Sequence, residues 1–213
     1  MARTIITLAQ QKGGSGKTTI AAHLAVAFLQ RGKSVAILDI DPQGSLGEWF
    51  ERREAKLGEG ETGLAFRAAS GWGARREAKH LARDYDVVVI DTPPKSDSEL
   101  RPAFEIADLV AVPLQPSPVD IWASDPTLKT IAKEGSRSLL IVNRAIRRAL
   151  LTGDMLAEIG ALGHAVAEAQ LGNRIAFAAS MVEGLTVLET ALGSLAAEEV
   201  AALAKEVLKH ATR

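Results

Sequence analysis

Two lysines bracket a glycine-rich stretch in AQQKGGSGKTTI, residues 9–20. Lys12 heads the stretch and Lys17 closes it, with Gly13, Gly14, Ser15 and Gly16 between them and Thr18 and Thr19 following. Glycines permit positive φ and close backbone approach, so successive N–H groups can ring an anion. Gly-Lys-Thr is the ending of a phosphate loop. In such loops the lysine reaches the β- and γ-phosphates and the next hydroxyl ligates Mg²⁺. The chemistry assigns Lys17 to the β- and γ-phosphates, Thr18 to Mg²⁺ and Thr19 to the α-phosphate. One position departs from the usual pattern: Gln11 stands where a glycine is expected. The second lysine, Lys12, is the feature a simple phosphate loop does not need.

Carboxylates follow two further apolar runs. In LDIDPQGS (38–45), Asp39 and Asp41 are two apart, so an extended backbone turns both to one side, and Pro42 keeps Asp41 out of helical geometry. Beside a triphosphate, that pair suits metal-water contacts for Asp39 and orientation of the attacking nucleophile for Asp41. The plain structural alternative is a helix N-cap at Asp41. In VVVIDTPP (87–94), Asp91 closes an apolar strand and would hold Mg²⁺ through water. Asn143, followed by Arg144, carries an amide able to read an adenine edge, or else simply forms a turn.

These residues need a scaffold that brings strand ends together. The spacing predicts strands over 4–9, 34–39, 86–91, 109–113 and 139–143, with shorter ones over 64–68 and 174–178. Helices are expected over 17–31, 44–56, 73–83, 119–133 (with Pro126 as a candidate interruption), 151–160 and 194–210. The clear strands are apolar throughout and alternate with helices. That pattern argues for an α/β fold, a mostly parallel twisted sheet with helices on both faces. Ligands in such sheets sit beyond the C-terminal ends of the strands, where every motif above falls.

Composition sets bounds. The chain has 213 residues, read as one domain over 1–213, with 47% hydrophobic and 24% charged residues, enough to bury a core. Formal net charge is −1, so any nucleic-acid binding must come from a local patch. There is no cysteine, which removes thiol catalysis and Cys-ligated Fe–S clusters. No run approaches a membrane span and the N-terminus lacks the form of a secretory signal, so a cytoplasmic location is expected.

Taken together, KGGSGKTT (12–19), LDIDPQGS (38–45), VVVIDTPP (87–94), VPLQPSPVD (112–120) and the Asn-Arg pair at 143–144 resemble the ParA/MinD group of deviant-Walker P-loop ATPases. The match runs over roughly residues 3–190 and is strongest toward small ParA proteins of ParF type. The resemblance implies slow, Mg²⁺-dependent ATP hydrolysis stimulated by a partner such as a ParB-like or other cargo adaptor. It implies that Lys12 crosses a homodimer interface to the nucleotide of the other subunit. It also implies nonspecific binding to nucleoid DNA by the ATP dimer, in plasmid partition, chromosome segregation or the positioning of a protein assembly.

Two features bear on which branch this chain follows. Its last helix is Ala-rich, with Glu198, Glu199 and Glu206 among the basic residues, and lacks the bulky apolar face and basic rim of a membrane helix. Stable membrane binding of MinD type is therefore not expected. Lys133, Arg137, Arg147 and Arg148, joined by Lys205 and Lys209, are the candidates for DNA phosphates; Arg52, Arg53, Arg75 and Arg76 are weaker ones. A biosynthetic ligase of dethiobiotin-synthetase type is the alternative from another class, and the DPQGS motif argues against it.

Overall fold

The structure, a computed structural model, describes residues 3–94, 97–146 and 150–212. Strand β1 (Thr4–Leu8) leads into α1 (Lys17–Gln30), β2 (Val35–Asp39), α2 (Ser45–Leu57) and β3 (Leu64–Ala68). A 3₁₀ turn (Gly71–Gly73) precedes α3 (Ala74–Asp84), β4 (Val87–Asp91), α4 (Asp97–Phe104), β5 (Leu109–Leu114) and α5 (Pro118–Lys133). Then come β6 (Ser138–Val142), α6 (Leu150–Gly160), β7 (Ala165–Val166), α7 (Ile175–Val182), α8 (Val187–Thr190) and α9 (Leu195–Ala211). Among the described residues the strands form one seven-stranded sheet in the order β3-β2-β4-β1-β5-β6-β7. Every recorded strand pair is parallel.

The apolar runs are explained by burial on both faces. Alternate residues Ile6, Leu8, Ile37, Val89 and Ile141 pack with Leu24 and Phe28 of α1 and Val200, Leu203 and Val207 of α9. Their neighbours Leu38, Val88 and Ile90 face Ala78 and Leu81 of α3, while Val112, Leu140 and Val142 face Ile121, Leu128 and Ile131 of α5. Each large side chain so buried contributes about 1.5–3 kcal/mol. Helix α9 spends its apolar side on this core, so it is a packing helix. No described helix is long and apolar enough to cross a membrane.

Three expectations change. The run at 174–178 is not a strand: Ile175–Val182 is helix α7, entered from an extended Arg174. A five-residue apolar run carries no decisive period, and here tertiary packing against α1 and α8 chose helix. Helix α5 passes through Pro126 unbroken. Finally, β7, α4 and α8 are too short to be announced by periodicity.

Candidate nucleotide site

The loop between β1 and α1 has the backbone of an anion cradle. Gly14 (φ 76°) and Gly16 (φ 96°) are left-handed, and Gly16 is the residue before the first turn of α1. A Cβ on Gly16 would lie 2.3 Å from Asn143 Nδ2, so a side chain there would be strained and would displace the Asn143 amide. The first turn of α1 contains no acidic side chain, leaving its unpaired N–H groups and partial positive charge for an anion. Lys17 is buried, and its Nζ donates to Gln10 O at 3.1 Å. Burial lowers its pKa, while Asp91 and Asp41 pull the other way. The Ser15 hydroxyl is buried without a hydrogen-bond partner.

Sheet register gathers the acids. Leu8 pairs with Asp91 and Asp91 with Asp39, so the loop and both carboxylates leave the sheet at one level. Thr18 Oγ1 donates to Asp91 Oδ2 at 2.5 Å, and Asp91 Oδ1 is buried with no partner. Burial pushes the Asp91 carboxyl up to about 7; neighbouring Asp39 adds to the rise and the Thr18 hydrogen bond opposes it. An unpartnered carboxylate oxygen beside a threonine hydroxyl is a hard oxygen donor set, and it fits Mg²⁺.

Asp39 and Asp41 play different parts from one another. Both Asp39 oxygens are already engaged, accepting from Asp41 N (2.9 Å) and Gly47 N (3.1 Å). Burial raises the pKa of this carboxyl, while those backbone donors lower it. Asp39, expected to face metal-bound water, thus first of all ties down the 40–47 segment. The N-cap of α2 is Gly44, not Asp41. Asp41 accepts from Gln43 N at 2.9 Å in a local turn, and its second oxygen takes no hydrogen bond among the described residues. Thr92, buried beyond Asp91, donates to Leu8 O at 2.8 Å and locks the two strand ends together.

Lys12 sits at the mouth. Its ammonium is hydrogen-bonded and ion-paired to the Asp120 carboxylate in the first turn of α5. Asp120 also accepts from Ser117 Oγ at 2.6 Å. Burial works to raise its pKa, but these hydrogen bonds outweigh burial and hold the carboxyl below the usual carboxylate range. Gln11 N and Gln10 both engage Thr127, so the head of the loop is seated on α5 as well. Beside Asp120, Val119 (58% exposed) and Trp122 (67% exposed) face outward. The sequence reading gave Asp120 no role, although Ser117-Pro-Val-Asp120 is a capping-box signature.

Asn143 is tied to the loop. Its Nδ2 donates to Ser15 O (2.7 Å) and its Oδ1 accepts from Arg144 N (2.9 Å). The amide clamps the phosphate loop with one of its two N–H donors and one lone pair of its oxygen. Arg144 holds φ 55°, a left-handed conformation uncommon for a side chain of its size. Both residues, with Thr19, rim a cavity of about 250 Å³ lined by Ile20, Leu24, Phe177 and Leu203. An apolar slot opening beside an anion cradle has the shape and chemistry for a nucleobase.

Behind the site runs a connection that no motif announced. His23 is buried on α1, with Nδ1 against Thr19 O (2.7 Å) and Nε2 accepting from Val187 N (3.1 Å). Thr186 and Glu189 form a capping box around α8, and Glu189 takes a two-point ion pair from buried Arg53 of α2 (3.0 and 2.7 Å). Gly184 packs on the α2 backbone so closely that a Cβ would meet Arg53 N at 2.2 Å. Trp49 donates to Leu185 O, which makes it core. Arg53, a weak DNA candidate by sequence, is therefore an internal ion-pair partner.

The candidate DNA contacts among the described residues are Lys133, Arg137, Lys205 and Lys209. Lys133 ends α5 and Arg137 immediately precedes β6. Arg137 donates to Ala211 O at 3.0 Å, closing the end of α9. Lys205 and Lys209 are exposed on α9, with Lys209 beside Lys33 and Asp86 near the N-terminal ends of β1 and β4. Arg147 and Arg148 lie outside the described residues.

This geometry agrees with what related sequences show. A family model described as the CobQ/CobB/MinD/ParA nucleotide binding domain matches residues 6–195. The chain belongs to that family. Within it, the motifs place this chain with the ParA/MinD-type ATPases. It is 30% identical over 210 residues to maintenance of carboxysome distribution protein A of Halothiobacillus neapolitanus, covering 95% of each chain. It is 28% identical over 221 residues to protein ParA of Rhizobium radiobacter, covering 98% of this chain and 97% of that one. A McdA–ATP complex from Cyanothece superposes with a TM-score of 0.78 over 97% of this chain and 96% of that one. At 18% identity that last likeness speaks for the fold alone.

Proposed function

We propose that this ParA-type ATPase domain, spanning 1–213, is a switch that dimerises on ATP, binds nucleoid DNA nonspecifically and positions or segregates a cargo. An adaptor partner stimulates its hydrolysis. The observation that carries this reading is the placement of Lys12. Lys17 already occupies the loop interior, so the second cation is not needed by its own nucleotide. Lys12 stands at the mouth, on a surface that exposes Val119 and Trp122. Two nucleotides facing each other across that surface would repel, and a lysine delivered from each side offsets the charge.

Within one subunit the residues divide the work. The loop amides and Lys17 bind the phosphates, and Gly16 and Asn143 hold the loop in shape. Thr18 and Asp91 hold Mg²⁺, which supplies charge neutralisation to the phosphates, and Asp39 fixes the segment bearing Asp41. Asp41, with an oxygen to spare, orients the attacking water. The relatives named for carboxysome distribution and for ParA support cargo positioning, and which cargo this chain serves is a property of its partner.

The test is size-exclusion chromatography with light scattering, with Mg²⁺ and a slowly hydrolysed ATP analogue or ADP. Dimer with the analogue and monomer with ADP is the expected result. In a Trp72→Phe background, Trp122 emission should shift to the blue only with the analogue. Monomer under both nucleotides overturns the switch.

A further inference from the structure

We infer that the cleft between the edge strand β3 and helix α3 binds the phosphodiester backbone of nucleic acid, with Trp72 as a stacking platform at its rim. The inference rests on the DNA limb of the proposed function and deepens it, moving the contact surface to a cleft that includes two of the weaker candidates, Arg75 and Arg76.

The cleft measures about 710 Å³ and is lined by Arg67 of β3, Trp72 of the 3₁₀ turn, and Arg75, Arg76, Lys79 and Arg83 of α3. Glu77 is the one carboxylate in its wall. The whole chain has 25 lysines and arginines against 26 acids, so five cations to one acid is a local concentration. Arg75 pairs with Glu105 at 3.3 Å, and Arg76 reaches Glu77 only at 3.7 Å. Lys79 and Arg83 make no ion pair among the described residues.

Helix geometry shows why these cations act together. Helix α3 buries Ala74, Ala78 and Leu81, which turns Arg75, Lys79 and Arg83 outward in a row at i, i+4 and i+8. Like charges at that spacing destabilise an isolated helix, and a bound polyanion removes the penalty. The row climbs about 6 Å per step. At its head Trp72 is 74% exposed, an indole left in water beside arginines. A charged groove with an aromatic face is the combination that tracks a nucleic-acid backbone and stacks a base.

The cleft is also wired to the nucleotide site. Ala69 N donates to Asp39 O at 2.9 Å, three residues before Trp72. Ala68 and Ala69 line the hollow that holds Asp41. Asp41 and the rim of the cleft are thus joined through the short segment 68–72.

The experiment is fluorescence anisotropy of a labelled 30-base-pair duplex and a 30-nucleotide single strand. Wild type, Lys79→Ala/Arg83→Ala and Trp72→Ala are compared with ATP analogue or ADP across a salt series, and unchanged ATP-analogue affinity confirms that each variant is folded. Each phosphate contact adds about 0.9 to the salt slope, hence about eight-fold in affinity at 0.1 M salt. The double variant should lose about 1.8 in slope on the duplex and bind roughly sixty-fold more weakly. Trp72→Ala should weaken the single strand by about ten-fold and leave the duplex unchanged. If wild type binds and the double variant keeps its slope, the cleft is not the site, while the DNA switch stands. If Trp72→Ala changes nothing on the single strand, the stacking role is overturned. If wild type binds neither oligonucleotide in any nucleotide state, the DNA limb of the proposed function falls together with this inference, and dimerisation is judged by sizing alone.

Discussion

Lys12 and Asp120 form an ion pair across the mouth of the nucleotide site, joining the head of the phosphate loop to the first turn of α5. In a single subunit, then, the lysine that would serve a neighbour is held by a carboxylate that is itself almost wholly buried. On the proposed switch, dimerisation breaks this pair before Lys12 crosses. Asp120→Asn keeps the volume and weakens the hold. A partly exposed pair of this kind is worth about 1 kcal/mol. Two are broken per dimer, so the variant should dimerise with a dissociation constant roughly thirty-fold lower, about 2 kcal/mol. Sedimentation at graded ATP-analogue concentration measures it, and equal or weaker dimerisation would show that Asp120 does not hold Lys12 back.

Asp41 is argued to act on the water and not on the nucleotide. Asp41→Ala should keep ATP-analogue affinity and dimerisation and lose at least about a hundred-fold in turnover. Steady-state phosphate release beside equilibrium binding gives both readouts. Turnover at the wild-type level would remove Asp41 from the reaction.

Gly16→Ala tests the loop. A left-handed alanine costs about 1–2 kcal/mol, and its Cβ overlaps the amide of Asn143. Relief of that overlap breaks the Asn143–Ser15 hydrogen bond and opens the cradle. ATP-analogue affinity by calorimetry should fall by about a hundred-fold or more, with a modest drop in melting temperature. Asn143→Ala, which makes room, should lose less affinity than Gly16→Ala.

His23 gives the fold an acid limit. Burial depresses its pKa from 6.5 to about 4, and Thr19 O and Glu189 only partly oppose this. In the unfolded chain the ring takes a proton below about pH 6.5; in the folded chain it stays neutral until about pH 4. The unfolded state therefore binds more protons in that window, and stability falls as pH drops through it, by roughly 3 kcal/mol in total. His23→Gln should flatten that part of the pH–stability curve measured by urea denaturation. An unchanged slope between pH 6.5 and 4 would assign the acid loss to other groups.

Much of this site was legible before the fold. Lys17, Thr18 and Asp91 have local signatures, since a glycine loop and an acid at a strand end owe their geometry to neighbours in the chain. What was misread depended on residues far away in sequence. The clamp that Asn143 puts on the loop was missed because its partner Ser15 lies on another strand's loop. Arg53 looked like surface because Glu189 is 136 positions away.

The sequence alone determined a nucleotide-binding α/β sheet, because apolar strand periods and strand-end chemistry are local. Tertiary structure alone decided that Lys12 rests on Asp120, that Asp39 ties its own loop, and that a basic cleft lies between β3 and α3. Those facts follow from which side chains the sheet order brings within a few ångströms. Hydrogen bonding and charge pairing act over that distance, whatever the separation along the chain.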